Sequence, residues 1–167
     1  AVLVIAGFTV GGLGRGGGGG QSVTVGRYNE FQQGIGVQHP IMPDTYPIPH
    51  VPDSQTVEYS TTPPTSGKHL NRWAECGFYT EGLPDERITH NLEHGNIVVS
   101  YNLATDEEVY QLRNAVIGID FYDTWGLTRF YDKIPEGTVA LSTWGVMDTI
   151  VGIDQDRMNR FFDAYAG

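Results

Sequence analysis

The residues best suited to chemistry are clustered in His90-Asn91-Leu92-Glu93-His94-Gly95, which holds two of the chain's five histidines with a carboxylate between them. On a helical turn, side chains four residues apart are neighbours, about 5–6 Å at Cβ. On a strand the same pair would share a face about 13 Å apart. Only the turn lets both imidazoles hold one ion, so the spacing predicts a helical turn stopped by Gly95. A second piece, Pro63-Pro64-Thr65-Ser66-Gly67-Lys68-His69, reads as a rigid turn presenting a histidine. Its prolines fix the approach, and Gly67 permits a positive φ just before His69. His69, His90 and His94 thus supply three nitrogen ligands, and His50 is the next candidate. Imidazole suits copper and zinc. A sulfur from Cys76, Met147 or Met42 would tilt the site towards Cu(I), and Glu93 would orient an imidazole through its other ring nitrogen.

Two other readings compete with a metal site. In one, the histidines are hydrogen-bonded scaffold that packs a proline-rich wrap onto the core. In the other, His90-x-x-Glu93-His94 is the H-x-x-E-H pattern of inverted zinc proteases, with Glu93 as general base. That chemistry needs a substantial helix and a distant Glu ligand, whereas Gly95 and the apolar run after it end any helix at once. Ser66 lacks the G-x-S-x-G elbow of a hydrolase. The glycines at 11–20 have no Gly-Lys-Ser/Thr and no following helix, so they are not a phosphate loop. Asp106-Glu107-Glu108 suits a helix N-terminus, where the dipole favours negative charge.

The elements that must position these residues follow from periodicity. Ile97–Tyr101 reads as a buried strand. Thr105–Ile117 reads as a helix, with Thr105 as N-cap, Glu108 three residues on, and Val109, Leu112 and Val116 at helical spacing. Asp120–Lys133 is aromatic-rich and ambiguous between helix and strand. Thr138–Trp144 is a second strand. Asp154–Tyr165 is a terminal helix capped by Asp154, with Met158, Phe161, Phe162 and Tyr165 inward. Most of the nine prolines lie between Tyr28 and Pro64, which suits only extended and turn conformations. A short strand is expected at Thr56–Tyr59, a helical turn with Trp73 inward at Leu70–Cys76, and an acidic loop at 80–87. The fold class predicted is α+β, with α/β the alternative. It is a small single domain with a long irregular N-terminal half and a short mixed sheet flanked by two helices.

Composition sets the outer bounds. The chain has 167 residues, 40% of them hydrophobic, which is one domain's worth of core. Its 20 acidic and 10 basic residues give a formal charge of −10, so nucleic acid is not an expected partner. The single cysteine allows no intramolecular disulfide. Ala1–Val10 is apolar and too short to span a bilayer as a helix. It suits the trailing end of a membrane anchor, or a β-branched segment that adds to a strand edge of another subunit. The eight glycines of 11–20 make a linker, Gln21–Gly26 a short edge strand. Domains are expected at 1–20 (tail), 21–46 (extended wrap) and 47–167 (globular histidine domain).

Five segments also resemble a family of prokaryotic extracytoplasmic domains of unknown function: His50-Val51-Pro52-Asp53, Pro63–His69, Trp73-Ala74-Glu75-Cys76-Gly77, His90–Gly95 and Thr143-Trp144-Gly145. The resemblance covers roughly residues 47 to 165 in order, with Lys68 where the family pattern has proline. It implies an N-terminal membrane anchor, a low-complexity linker and a histidine-rich domain that binds metal, copper before zinc. The expectation is an extracytoplasmic metal-binding domain acting in capture, delivery or sensing without turnover. The alternative is a structural subunit of a surface filament or complex, self-associating through residues 1–20, and an H-x-x-E-H zinc hydrolase comes third.

Overall fold

A computed structural model describes residues 30–43 and 49–167. The apolar tail, the glycine linker, any self-association through them and the expected strand at Gln21–Gly26 lie outside the described residues. No helix among the described residues is long and apolar enough to cross a membrane.

The elements in chain order are β1 (Val37–Gln38), β2 (His50–Val51), β3 (His69–Leu70), β4 (Gly77–Gly82), α1 (Asp85–Glu93), β5 (Ile97–Asn102), α2 (Asp106–Ile117), α3 (Tyr122–Trp125), β6 (Gly126–Phe130), β7 (Thr138–Thr143), β8 (Val146–Val151) and α4 (Gln155–Tyr165). Six strands form one mixed sheet in the order β1-β8-β7-β5-β6-β4, and β2 and β3 form a separate parallel pair. This is the expected α+β domain. Strands β4, β5 and β6 run parallel, while β5, β7, β8 and β1 alternate direction.

Strand β5 divides the core because successive side chains point to opposite faces. Ile97, Val99 and Tyr101 join Leu112 and Val116 of α2 and Met158, Phe161, Phe162 and Tyr165 of α4 in one cluster. Val98 instead joins Leu127, Trp144, Ala74 and the Ile88 and Leu92 pair of α1. Helices therefore cover both faces, and α1 occupies the face opposite α2 and α4. Helix α2 carries the capping box read from the sequence: Thr105 Oγ1 accepts from the Glu108 N–H, and the Glu108 carboxylate accepts from the Thr105 N–H. Asp154 caps α4 by accepting from the Arg157 N–H. The ambiguous stretch resolves as α3 followed by β6.

Four local expectations are corrected. Thr56–Tyr59 forms no strand; the Val57 N–H instead donates to Glu86 of α1 at 2.9 Å. Residues 71–76 form no helical turn, and Trp73 is 55% exposed rather than inward. The reason is Asn91, whose side chain accepts from the Ala74 N–H and donates to the Ala74 carbonyl, both at 2.8 Å. That clamp holds the segment extended and turns Ala74, not Trp73, into the core. The acidic loop at 80–87 is mostly strand and helix: β4 runs to Gly82 and α1 begins at Asp85, after Pro84 with φ −56° and with Asp85 and Glu86 in the first turn. Ile88 and Leu92 supply that helix's apolar stripe.

Candidate metal centre

Three short segments bring the candidate ligands together. Strands β2 and β3 pair with His50 opposite His69, and the His69 N–H donates to the Pro49 carbonyl. Gly67 takes φ +121° before His69, a conformation that favours glycine. Helix α1 contributes His90 and Glu93 three residues apart on one face, and His94 is its C-cap. Gly95 follows at φ +88° and ends the helix before β5. One ligand atom from each of His50, His69, His90 and Glu93 can be chosen so that all four lie within 4.8 Å of one another. Tetrahedral bonds of about 2.0–2.1 Å put ligand atoms about 3.3 Å apart, so closure on an ion asks for modest side-chain adjustment. The ring centroids are 5.2 Å apart for His50 and His69, 5.3 Å for His50 and His90, and 4.9 Å for His69 and His90.

Backbone carbonyls fix which nitrogens are free. Nδ1 of His69 lies 2.9 Å from the Gly67 carbonyl, and Nδ1 of His90 lies 2.6 Å from the Leu70 carbonyl. A carbonyl oxygen only accepts, so each Nδ1 carries the hydrogen and each neutral ring turns a bare Nε2 lone pair inward. This is the outer arrangement that orients metal-binding imidazoles. His69 is fully buried, and its Nε2 has no hydrogen-bond partner. The nearest charge is the Glu93 carboxylate, with Oε2 at 3.1 Å but not in hydrogen-bond geometry. A lone pair facing a carboxylate at that distance is unfavourable unless a proton or another cation lies between them. The residues therefore fit a metal ion.

The match to known families falls on these residues. The family described as "Protein of unknown function (DUF3105)" matches residues 50–167. The chain belongs to the DUF3105 family. No curated protein and no solved structure matches it, so the chemistry of this DUF3105 domain has to be read from the site.

Burial and neighbouring charge disfavour the protonated form of two of the rings. Burial is the largest effect lowering the pKa of both His50 and His90 from 6.5; neighbouring His69 and His94 lower both further, while Glu93 raises them. The Leu70 carbonyl also raises that of His90. Two indoles line the cluster. Trp73 lies 5.6 Å from both the His90 and His94 rings, and Trp144 lies 6.4 Å from His69.

The remaining sequence candidates sit elsewhere or at the margin. His94 is exposed and outside the four-residue group, yet its Nε2 is 2.8 Å from Nε2 of His90 with the rings near-parallel. The Cys76 thiol donates to the Thr124 carbonyl at 3.0 Å, and burial raises its pKa. Met42 lends its sulfur to the Ser60 N–H and packs beside Gly67. Met147 packs with Tyr131, Ile134 and Ala140. His39, off the end of β1, is also outside the group.

Sequence reasoning missed two positioning groups. Asn91 is one, and only the tertiary clamp on Ala74 reveals it. The other is Arg129, fully buried on β6, which donates to Asp85 at 2.7 Å, to the Leu83 carbonyl and to Ser100 Oγ at 3.1 Å. It ties the first turn of α1 to the sheet. A lone arginine within an aromatic run carries no periodic signal that would have marked it as buried.

Proposed function

We propose that this domain binds a transition-metal ion through His50, His69, His90 and Glu93, with His94 at the mouth of the site. The role is capture, delivery or sensing of the metal in an extracytoplasmic setting, without turnover. The observation that carries the reading is His69 Nε2: buried, bare by its tautomer, unpartnered, and facing a carboxylate at 3.1 Å. The C-terminal end of α1, where the dipole favours cations, points the same way, as does the overall acidity.

Three imidazoles and a carboxylate favour a divalent ion over Cu(I), which prefers thiolate and thioether ligands. For nitrogen and oxygen donors Cu²⁺ binds more tightly than Zn²⁺, so copper comes before zinc. Glu93 among the prospective ligands leaves the H-x-x-E-H hydrolase reading without a free general base. The composition of residues 1–20 supports tethering to a membrane or to a second subunit.

Elemental mass spectrometry of the natively purified protein, beside His69→Ala and His90→Ala, tests the proposal. A stoichiometric transition metal in the parent, lost in both variants, is the expected result. No metal in the parent, even after reconstitution with Cu²⁺ and Zn²⁺, would overturn it and leave the histidines as scaffold.

A further inference from the structure

The His90 ring presents its Nε2 lone pair to His94 rather than to water. Its Nδ1–H is committed to the Leu70 carbonyl at 2.6 Å, so in the neutral ring Nε2 accepts and His94 donates across the 2.8 Å contact between the two Nε2 atoms. The two rings differ in environment. His90 is buried and His94 is exposed, so one nitrogen-to-nitrogen step connects solvent with the buried half of the cluster, His69 and His90. The exposed indole of Trp73 lies against both rings. A pocket of about 340 Å³, lined by Trp73, Cys76, Asn91, His94, Asn96 and Trp125 among others, opens beside His94. His94 ends the helix through its backbone N–H, bonded to the His90 and Asn91 carbonyls, so its ring can move without unwinding α1.

We propose that His94 is an entry ligand: it captures a divalent metal ion at the mouth of this pocket and passes it to Nε2 of His90, from which it reaches His50, His69 and Glu93. The inference rests on the metal-binding reading above and adds a route to it. The ion first binds the unprotonated ring nitrogen of His94, which swings away and uncovers the His90 lone pair. The metal–nitrogen bond to His94 then breaks as bonds to His90 and the interior ligands replace it and the remaining waters. The His94 imidazole keeps its single N–H throughout, so no proton is gained or lost. His94 is thus needed for the speed of loading, not for its end point.

The test is stopped-flow quenching of tryptophan fluorescence, since Trp73 and Trp144 flank the cluster. The full chain, freed of metal, is mixed with Cu²⁺ supplied as its glycine complex. In His94→Ala the loading rate is expected to fall about tenfold or more, within the one to three decades over which association rates vary among related variants. Final copper stoichiometry and far-UV circular dichroism should match the parent. A rate that is unchanged or faster in His94→Ala would overturn the entry role while leaving the metal site standing. Loss of stoichiometric copper from folded His94→Ala would also overturn it, making His94 an interior ligand. A parent protein that takes up no Cu²⁺ would fail at the earlier step, the metal site itself.

Discussion

Replacing Asp85 with alanine tests how α1 is held. Its carboxylate receives Arg129 at 2.7 Å, the Tyr131 hydroxyl at 3.1 Å and Lys133 at 2.8 Å. These contacts are unequal. The Arg129 side chain is fully buried, the Asp85 side chain is 11% exposed, and that of Lys133 is 62% exposed. Breaking a buried pair by removing one partner costs about 3–5 kcal/mol, because the other charge is left desolvated. Arg129 would retain the Leu83 carbonyl, Ser100 and the face of Tyr131 at 4.0 Å, which points to the lower end, about 3 kcal/mol. An unfolding entropy of about 2.1 cal/mol/K per residue over a folded unit of roughly 120 residues converts this into a fall in Tm of about 12 °C. Lys133→Ala removes only an exposed partner and should cost about 0–1 kcal/mol. Urea unfolding of both variants, at unchanged m-value, separates them. A loss below about 1 kcal/mol in Asp85→Ala, or one equal to that of Lys133→Ala, would refute the claim that this buried pair anchors the helix.

Three further outcomes are expected. Glu93→Gln removes the carboxylate that faces His69, and copper affinity measured by competitive titration should fall by at least about 10–100-fold; unchanged affinity would exclude Glu93 as a ligand. Gly95→Ala forces a side chain into φ +88° with its Cβ 2.9 Å from the Gly167 carbonyl carbon, costing about 1–3 kcal/mol by denaturant unfolding, where a neutral result would contradict the packing of Gly167 on the turn that follows α1. His50 and His90, facing each other and His69, His94 and Glu93, have folded pKa values below the unfolded 6.5. Below that pH the unfolded chain takes up protons that the folded site resists. The metal-free protein should therefore hold stability above about pH 6.5 and lose it as pH falls through the lower folded values, a loss that His50→Gln/His90→Gln should diminish.

Local chemistry made much of this protein legible from its sequence. The four-residue spacing of His90 and His94 with Gly95 behind them specified a helix end, because only that geometry brings the rings together and only glycine readily turns the chain there. The Thr105–Glu108 capping box, the Asp154 cap and the apolar periods of α2, α4, β5 and β7 follow equally from short-range rules. Tertiary structure alone decided which groups meet. Strands β2 and β3 are two residues each, too short for any periodic signal, yet their pairing sets His50 opposite His69. Carbonyls of Gly67 and Leu70 assign the tautomers, and the direction of α1 gives Glu93 to the interior cluster and His94 to its mouth. The Asn91 clamp turned Trp73 outward against its hydrophobic character, and the Asp85 pair buried an arginine on β6. A sequence encodes the periods and stops of its own elements, whereas convergence at a site depends on which faces pack, and that is set by contacts between residues far apart in the chain.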